Sequence, residues 1–416
     1  MGILTSDKNE KQGYVLKVLR VHSSKLSVLC YISAILSFCL LIHEKYCDST
    51  YFSENALLPG LVNREFSLGN LANQYFDGLK NESSNQVGKL PSSWITSRFR
   101  QIGLEVYKQS FVLNYPFSNK KKYKGENIYA LLRAPRAPNT EAIVLSTPYR
   151  AFDSPHGSTI PGIAVMLAVA KYFVSKNYWA KDIIFLISDH ELVGMQAWLN
   201  AYHDVGRNGY SCIDYEVLEQ RSGPIQGAIN LEIHSDISSR MEIKIEGLNG
   251  QLPNLDLFNV AVELATRESI TPTFHGKSHP FSTDQWEIWK EHAITISSMM
   301  ISQGIGLPTG AHGLFQKFAI QAITLEAIEK FSSDGTVGIT FVQIGRLIEG
   351  IFRSLNNLLE KFNRSYWFYL LPSTRRYVSI GYYMISFGLM VVPSLFQALS
   401  LYLNMNQQAN SADIQK

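Results

Sequence analysis

Two unbroken apolar runs frame this chain, and between them apolar positions recur with the periods of strands and helices. Residues 26–42 (LSVLCYISAILSFCLLI) carry no charge, and neither do residues 377–403 (YVSIGYYMISFGLMVVPSLFQALSLYL). Both reach the length that crosses the hydrocarbon layer of a bilayer, about 20 residues. Between them, residues 183–188 are apolar without polar alternation and predict a buried parallel strand. Leu192, Met195, Trp198 and Leu199 follow at helical spacing. Asp189, His190 and Glu191 fill the turn, at the carboxyl end of a strand, where open α/β sheets place their ligands.

The same patterns predict helices around 66–79 and 92–99, then strands at 104–113, 127–133 and 142–147. A helix over 161–173, strands at 225–232 and 241–246, and a helix over 254–266 come next. Residues 293–299 read as one more buried strand. Residues 267–290 read as an aromatic loop (Phe274, Phe281, Trp286, Trp289), expected to pack in the core more than to form a contact surface. Residues 338–362 read as one long amphipathic helix that packs on the domain and leads to the second apolar run. Strands alternating with helices predict an α/β sandwich built on a mixed sheet.

Charge decides the orientation. Lys8, Lys11, Lys17, Arg20 and Lys25 precede the first run, so the amino end is expected to face the cytosol. The stretch before the run is long and no small-residue cleavage site follows it. A retained anchor is therefore expected, not a cleaved signal peptide. The organisation that results is a tail at 1–25, a span at 26–42, a non-cytosolic domain at 43–376, a second span at 377–403 and a tail at 404–416. Sequons at Asn81 and Asn363 fall inside the domain. Arg375 and Arg376, just ahead of the second span, run against the charge rule. The net charge of +3 is thinly spread, with one basic cluster at 120–122, and gives nucleic acid no footing. Four cysteines include two inside the first span, which leaves Cys47 and Cys212 as a possible disulfide in an oxidising compartment.

The order strand, loop, helix, acidic turn, with Asn230-Leu231-Glu232 at a strand end and GAHGLF at 310–315, resembles the zinc aminopeptidases. Those enzymes hold two zinc ions through a His-x-Asp pair, a bridging Asp, the second residue of a Glu-Glu pair, a strand-end carboxylate and a late His. By that resemblance Glu191 takes the general-base position, and Glu232 and His312 are metal-ligand candidates. The remaining positions fall on Pro148-Tyr149-Arg150, Ser158 and Leu192, which supply no ligand. One zinc needs three protein ligands. No cofactor is therefore expected, with a single zinc as the alternative should Asp153, His156 or His190 complete a site.

A second resemblance covers nearly the whole chain. The block EGLNGQLPNLDL at 246–257 resembles a signature of the GPI anchor attachment protein family, subunits of GPI transamidase. Blocks at 51–56, 103–107, 132–137, 178–183, 201–205 and 370–381 agree in order. The resemblance implies an aminopeptidase-like α/β/α domain in the lumen of the endoplasmic reticulum, flanked by two membrane helices. It implies as partners the other transamidase subunits, including a caspase-like catalytic one, together with GPI lipid and precursor proteins. The expected role is non-catalytic: assembling the complex and presenting the lipid. The alternative is a residual metal-dependent enzyme working through Glu191. Family members continue through further membrane helices, so this sequence is expected to be a fragment, a splice form or an incomplete gene model.

Overall fold

The computed structural model describes residues 14–85, 88–115, 122–152, 154–206, 212–280, 282–329, 338–362 and 367–414. The first apolar run continues an earlier turn sequence into one helix, α1 (Tyr14–Leu41), whose apolar span is His22–Leu41. A short strand β1 (Asp48–Ser49) leads to helices α2 (Gly69–Asn85) and α3 (Ser92–Ile102). Strands β2 (Glu105–Asn114), β3 (Lys122–Leu132) and β4 (Ala142–Pro148) follow. The unit at the centre is α4 (Ile160–Val174), β5 (Asp182–Ser188) and α5 (Leu192–His203). The chain goes on through β6 (Ile213–Tyr215), β7 (Ile225–Ile233), β8 (Ser238–Lys244), α6 (Leu255–Arg267), β9 (Pro272–Thr273), α7 (Gln285–Ile305), α8 (His312–Gln316) and β10 (Gln321–Glu329). It closes with α9 (Phe341–Asn356), β11 (Tyr369–Ser373), β12 (Arg376–Ser379) and α10 (Ile380–Ile414).

Nine strands form one sheet in the order β6-β2-β3-β5-β4-β7-β10-β8-β9. The inner four, β5, β4, β7 and β10, are parallel, and antiparallel strands extend both sides. A parallel sheet needs both faces covered. On one face Ile143, Leu145, Phe185, Leu231 and Leu325 pack in the larger core with α2, α4, α6 and α9. On the other, Val144, Ile184 and Leu186 meet Met195, Trp198 and Phe315 of α5 and α8. The architecture is therefore the expected mixed-sheet α/β/α sandwich.

Several elements differ from the sequence reading. Residues 293–299 are not a strand; they lie inside α7. Its buried residues His292, Thr295, Ile296 and Met299 recur in steps of three and four, the period of a helix. Asp284 caps it by accepting from Trp286 N. The strand that was missed is β10, which sits between β7 and β8 with Ile323, Leu325 and Ala327 on one buried face. The helix expected over 338–362 ends at Asn356, opened by a capping box between Thr340 and Gln343. A β11–β12 hairpin then intervenes before the second span.

That hairpin builds the neck. β1, directly after α1, pairs with β12, directly before α10, so a three-stranded sheet ties the two apolar helices together. Ser37 of α1 and Ser386 of α10 share a hydrogen bond of 2.8 Å between them. Cys47 lies buried in this neck with its Sγ 3.2 Å from Leu41 O, while Cys212 is exposed beside the outermost strand β6. The Cys47–Cys212 disulfide is not formed: both thiols are free, one buried beside β1 of the neck and the other exposed beside β6 at the edge of the large sheet. The aromatic segment divides: Phe274 is core, Trp286 is exposed, and Trp289 donates to Cys39 O of α1 at 3.2 Å. Phe281 lies outside the described residues. Asn81 is exposed on α2, and Asn363 lies outside the described residues.

Candidate functional site

Four parallel strands deliver their carboxyl ends to one edge of the sheet, and the ends carry charge. β4 leads to Arg150, β5 to Glu191, β7 carries Glu232 and leads to His234, and β10 places Glu326 in register with Glu232. The antiparallel strand β8 adds Lys244, opposite Thr324. Arg150, Glu191, Glu232, Lys244 and Glu326 line a cleft of about 340 Å³ with His156 and the 308–311 loop, and His234 stands behind Glu326.

Arg150 is the hub of the cleft. Its Nη2 donates to Glu191 Oε2 at 3.1 Å and lies 3.1 Å from Glu232 Oε2. Its Nε lies 2.9 Å from Glu191 Oε1, as an ion contact and not an aligned hydrogen bond. The second oxygen of Glu232 accepts from Asn230 Nδ2 at 2.9 Å. The turn that presents Glu191 is shaped by the backbone: His190 and Glu191 both have φ of 51°, uncommon for side-chain-bearing residues. Asp189 holds it, accepting from Glu126 N and from His190 N, while Asn127 accepts from Asp189 N. Gly194 is required beneath, since a Cβ there would meet Asp189 O at 2.0 Å.

A second ion cluster adjoins the first. Glu326 faces His234 Nε2 at 3.2 Å and Lys244 Nζ at 2.8 Å. Burial alone would raise its pKa, but the hydrogen bonds and charges of His234 and Lys244 prevail and hold it down at about 2. Burial would lower His234, yet its bonds to Glu326 and to the Ser158 carbonyl raise it above the ordinary value. Both ring nitrogens of His234 face acceptors, which is the arrangement of an imidazolium.

Stability should follow these shifts. Glu326, depressed when folded, contributes above its unfolded value of 4.5 and loses that contribution as pH falls through about 2. His234, raised when folded, contributes fully below 6.5 and loses its share as pH rises through its folded value. The pair is therefore worth most between these unfolded values, pH 4.5 to 6.5. We expect the thermal midpoint to fall as pH rises above that window, and His234→Gln to flatten this part of the profile. An unchanged slope in the variant would refute the assignment.

The sequence-selected residues fare unequally. Glu191 and Glu232 are brought together, through Arg150. His312 is not beside them: it is wholly buried, with Nε2 3.1 Å from Glu246 O and Nδ1 2.8 Å from Thr324 Oγ1. A carbonyl can only accept, so Nε2 carries the proton and Nδ1 accepts from the threonine. Burial pushes its pKa down to about 4 and keeps it neutral. His312 is thus a core histidine with both ring nitrogens hydrogen-bonded. His156 is exposed at the cleft edge, His190 turns its Nε2 to Lys124 O, and Asp153 lies outside the described residues.

The zinc aminopeptidase ligand set does not fit. Where that pattern asks for a ligand pair, this chain has Arg150, whose guanidinium occupies the space between the two surviving carboxylates. Glu232, His234 and Glu326 do bring possible ligand atoms within 4.8 Å of one another, but the two carboxylates already meet cations, and both ring nitrogens of His234 already face acceptors. Sequence reading missed His234, Lys244 and Glu326. The available signal was Arg150 itself, since a cation where ligands are expected calls for carboxylates around it.

A family model described as "Gaa1-like, GPI transamidase component" matches residues 124–416. The chain belongs to this family. Relatives of the Gaa1-like chain include the GPI transamidase component GAA1 of Saccharomyces cerevisiae, 31% identical over 92% of this chain and 58% of that protein. The GPI transamidase component gaa1 of Schizosaccharomyces pombe is 30% identical over 88% of this chain and 62% of its own length. The chain thus spans about three fifths of the length of both relatives. Among solved structures, the LapA aminopeptidase of Legionella pneumophila overlaps 75% of each chain with a TM-score of 0.45 and 13% identity. A leucine aminopeptidase precursor from Bacteroides thetaiotaomicron overlaps 72% of this chain and 100% of its own, with a TM-score of 0.40 and 12% identity. At those scores the chemistry of the Gaa1-like cleft is read from its own residues. With two apolar helices, 17% and 11% buried in their spanning windows, the Gaa1-like chain is a membrane protein.

Proposed function

We propose that this chain acts as a non-catalytic subunit of the GPI transamidase of the endoplasmic reticulum membrane, with its domain in the lumen and its amino end in the cytosol. It helps assemble the complex with the caspase-like catalytic subunit and the other subunits, and it presents GPI lipid for attachment to precursor proteins. The observation that carries this reading is the family match over residues 124–416. The cleft supports the non-catalytic part. A general base must be free to take a proton from water, and Glu191 is instead held by two nitrogens of Arg150. The positive charge that zinc supplies in an aminopeptidase is supplied here by Arg150, so the cleft works without a bound metal.

The test is to express the chain in cells depleted of their own homologue, then measure a GPI-anchored surface reporter and capture the remaining transamidase subunits. Reporter display with co-purification of those subunits is expected. Glu191→Gln is expected to leave display within about twofold of the unsubstituted chain. Loss of display beyond tenfold with the complex intact would overturn the non-catalytic assignment, and failure to capture any other subunit would overturn membership of the complex.

A further inference from the structure

A second cavity among the described residues is larger than the charged cleft. It lies at the neck, where α1 and α10 meet the domain, and has a volume of about 840 Å³. Phe38 of α1, Phe387 of α10 and Met300 of α7 wall it, and among the described residues that line it none is an acid, a base or a histidine. Such a volume is typical of pockets that enclose a small molecule, about 300–1,000 Å³. A spanning helix about 10 Å across and 30 Å long fills roughly 2,400 Å³.

Its polar groups are uncharged. Gln303 and Gln316 are among the carboxamides on its lining. Gln316 is 93% buried, and its Nε2 donates to the carbonyls of Ile245 and Ala322. Its Oε1 accepts from nothing among the described residues, and the buried Nε1 of Trp367 likewise donates to nothing. Both atoms are sealed in the wall with almost no accessible surface, so the polar surface open to the cavity is left to its other carboxamides, Asn249 and Gln303 among them.

The surroundings say where that ligand comes from. Ile301, Ile305 and Phe368 are each at least 60% exposed beside the cavity, and the outer faces of both spans are apolar and open. Trp289 ties α7 to the end of α1 through Cys39 O, and Trp286 stacks on it with its ring exposed. Tryptophan at the end of a span and an apolar stripe on an adjoining helix mark the level of the bilayer surface. The cavity therefore opens to lipid.

We propose that the neck cavity binds one bilayer lipid, with acyl chain against Phe38, Met300 and Phe387, and with an uncharged, hydroxylated polar part on the Asn249 and Gln303 side. Hydroxyls both donate and accept, which suits carboxamides, whose oxygen accepts and whose nitrogen donates. A phosphate or an ammonium would find no counter-charge on the lining. The inference stands on the cavity and the spans alone, and reporter display is not its readout, so it can fail or hold independently of the transamidase role.

Gly304 permits a clean test, because a Cβ there meets nothing within 4 Å and a larger side chain enters the cavity. The full chain is placed in phosphatidylcholine nanodiscs with a trace of glycosyl-diacylglycerol carrying a photoreactive group in its acyl chain. Adducts are then mapped by peptide mass spectrometry. Labelling at Met300 and Phe387 is expected, reduced at least tenfold by Gly304→Trp, while labelling at the exposed Ile32 and Leu395 stays constant and reports intact spans. Cavity labelling that survives Gly304→Trp, labelling confined to the outer span faces, or equal cavity labelling by photoreactive phosphatidylserine would each overturn the proposal.

Discussion

Arg150→Ala is expected to destabilise the domain by about 3 kcal/mol, read as a fall in the thermal midpoint of the detergent-solubilised chain. Removing one partner from a buried ion pair costs on the order of 3–5 kcal/mol, because the remaining charge keeps its desolvation and loses its compensation. Here one guanidinium compensates two carboxylates, Glu191 and Glu232. The lower end of the range applies, since the Glu191 side chain is 37% exposed and water can take over part of the task. Arg150→Lys should recover only part of the loss, because an ammonium is a point charge and cannot fork between two acids. The combination Arg150→Met, Glu191→Gln, Glu232→Gln should be more stable than Arg150→Ala alone, having removed the repulsion. A loss under about 1 kcal/mol for Arg150→Ala would mean that the carboxylates relax into solvent and that the guanidinium is not what holds the cleft.

Glu349→Ala should cost more, far from the cleft. Glu349 is fully buried on α9, and its Oε2 accepts from Glu65 N and Phe66 N, both at 2.8 Å, while Oε1 accepts from the Tyr172 hydroxyl at 2.8 Å. Those bonds pin the segment before α2 and the helix α4 to α9. Burial and the bond to Glu349 together raise the Tyr172 pKa, so the phenol stays protonated and donating. Hydrogen bonds to a charged group are worth about 1.5–3 kcal/mol each, three end on this carboxylate, and alanine also strands the buried Phe66 amide, so about 5 kcal/mol is expected. Glu349→Gln should cost about 1 kcal/mol, because its carbonyl can serve the amides and its NH₂ can donate to the phenol oxygen. Amide exchange at Glu65 and Phe66 discriminates: it should accelerate in the alanine variant and change little in the glutamine variant. Slow exchange in both would refute the clamp.

Local pattern carried much of the architecture. The strands β4 and β5 and the helices α4 and α6 were legible because their apolar positions are continuous or strictly periodic, and burial on both faces leaves few other solutions. β10 was not legible. Its sequence QAITLEAIE places Thr324 and Glu326 among apolar residues, and only its neighbours β7 and β8 turn that into a strand. α7 failed for the opposite reason. The apolar content of residues 293–299 resembles a strand, and the helical period becomes clear only over the full 21 residues.

The cleft divides along the same line. From sequence alone the chain yields its two spans, its acidic turn, its family and the loss of the aminopeptidase ligands, because each is written in contiguous residues. Tertiary structure alone decides what replaced those ligands. Arg150, Glu191, Glu232, His234, Lys244 and Glu326 come from five strands, and no local period relates a cation on one strand to a carboxylate on another. It alone retires His312 as well, whose neutrality follows from the desolvation of a core that the sheet and α8 build around it.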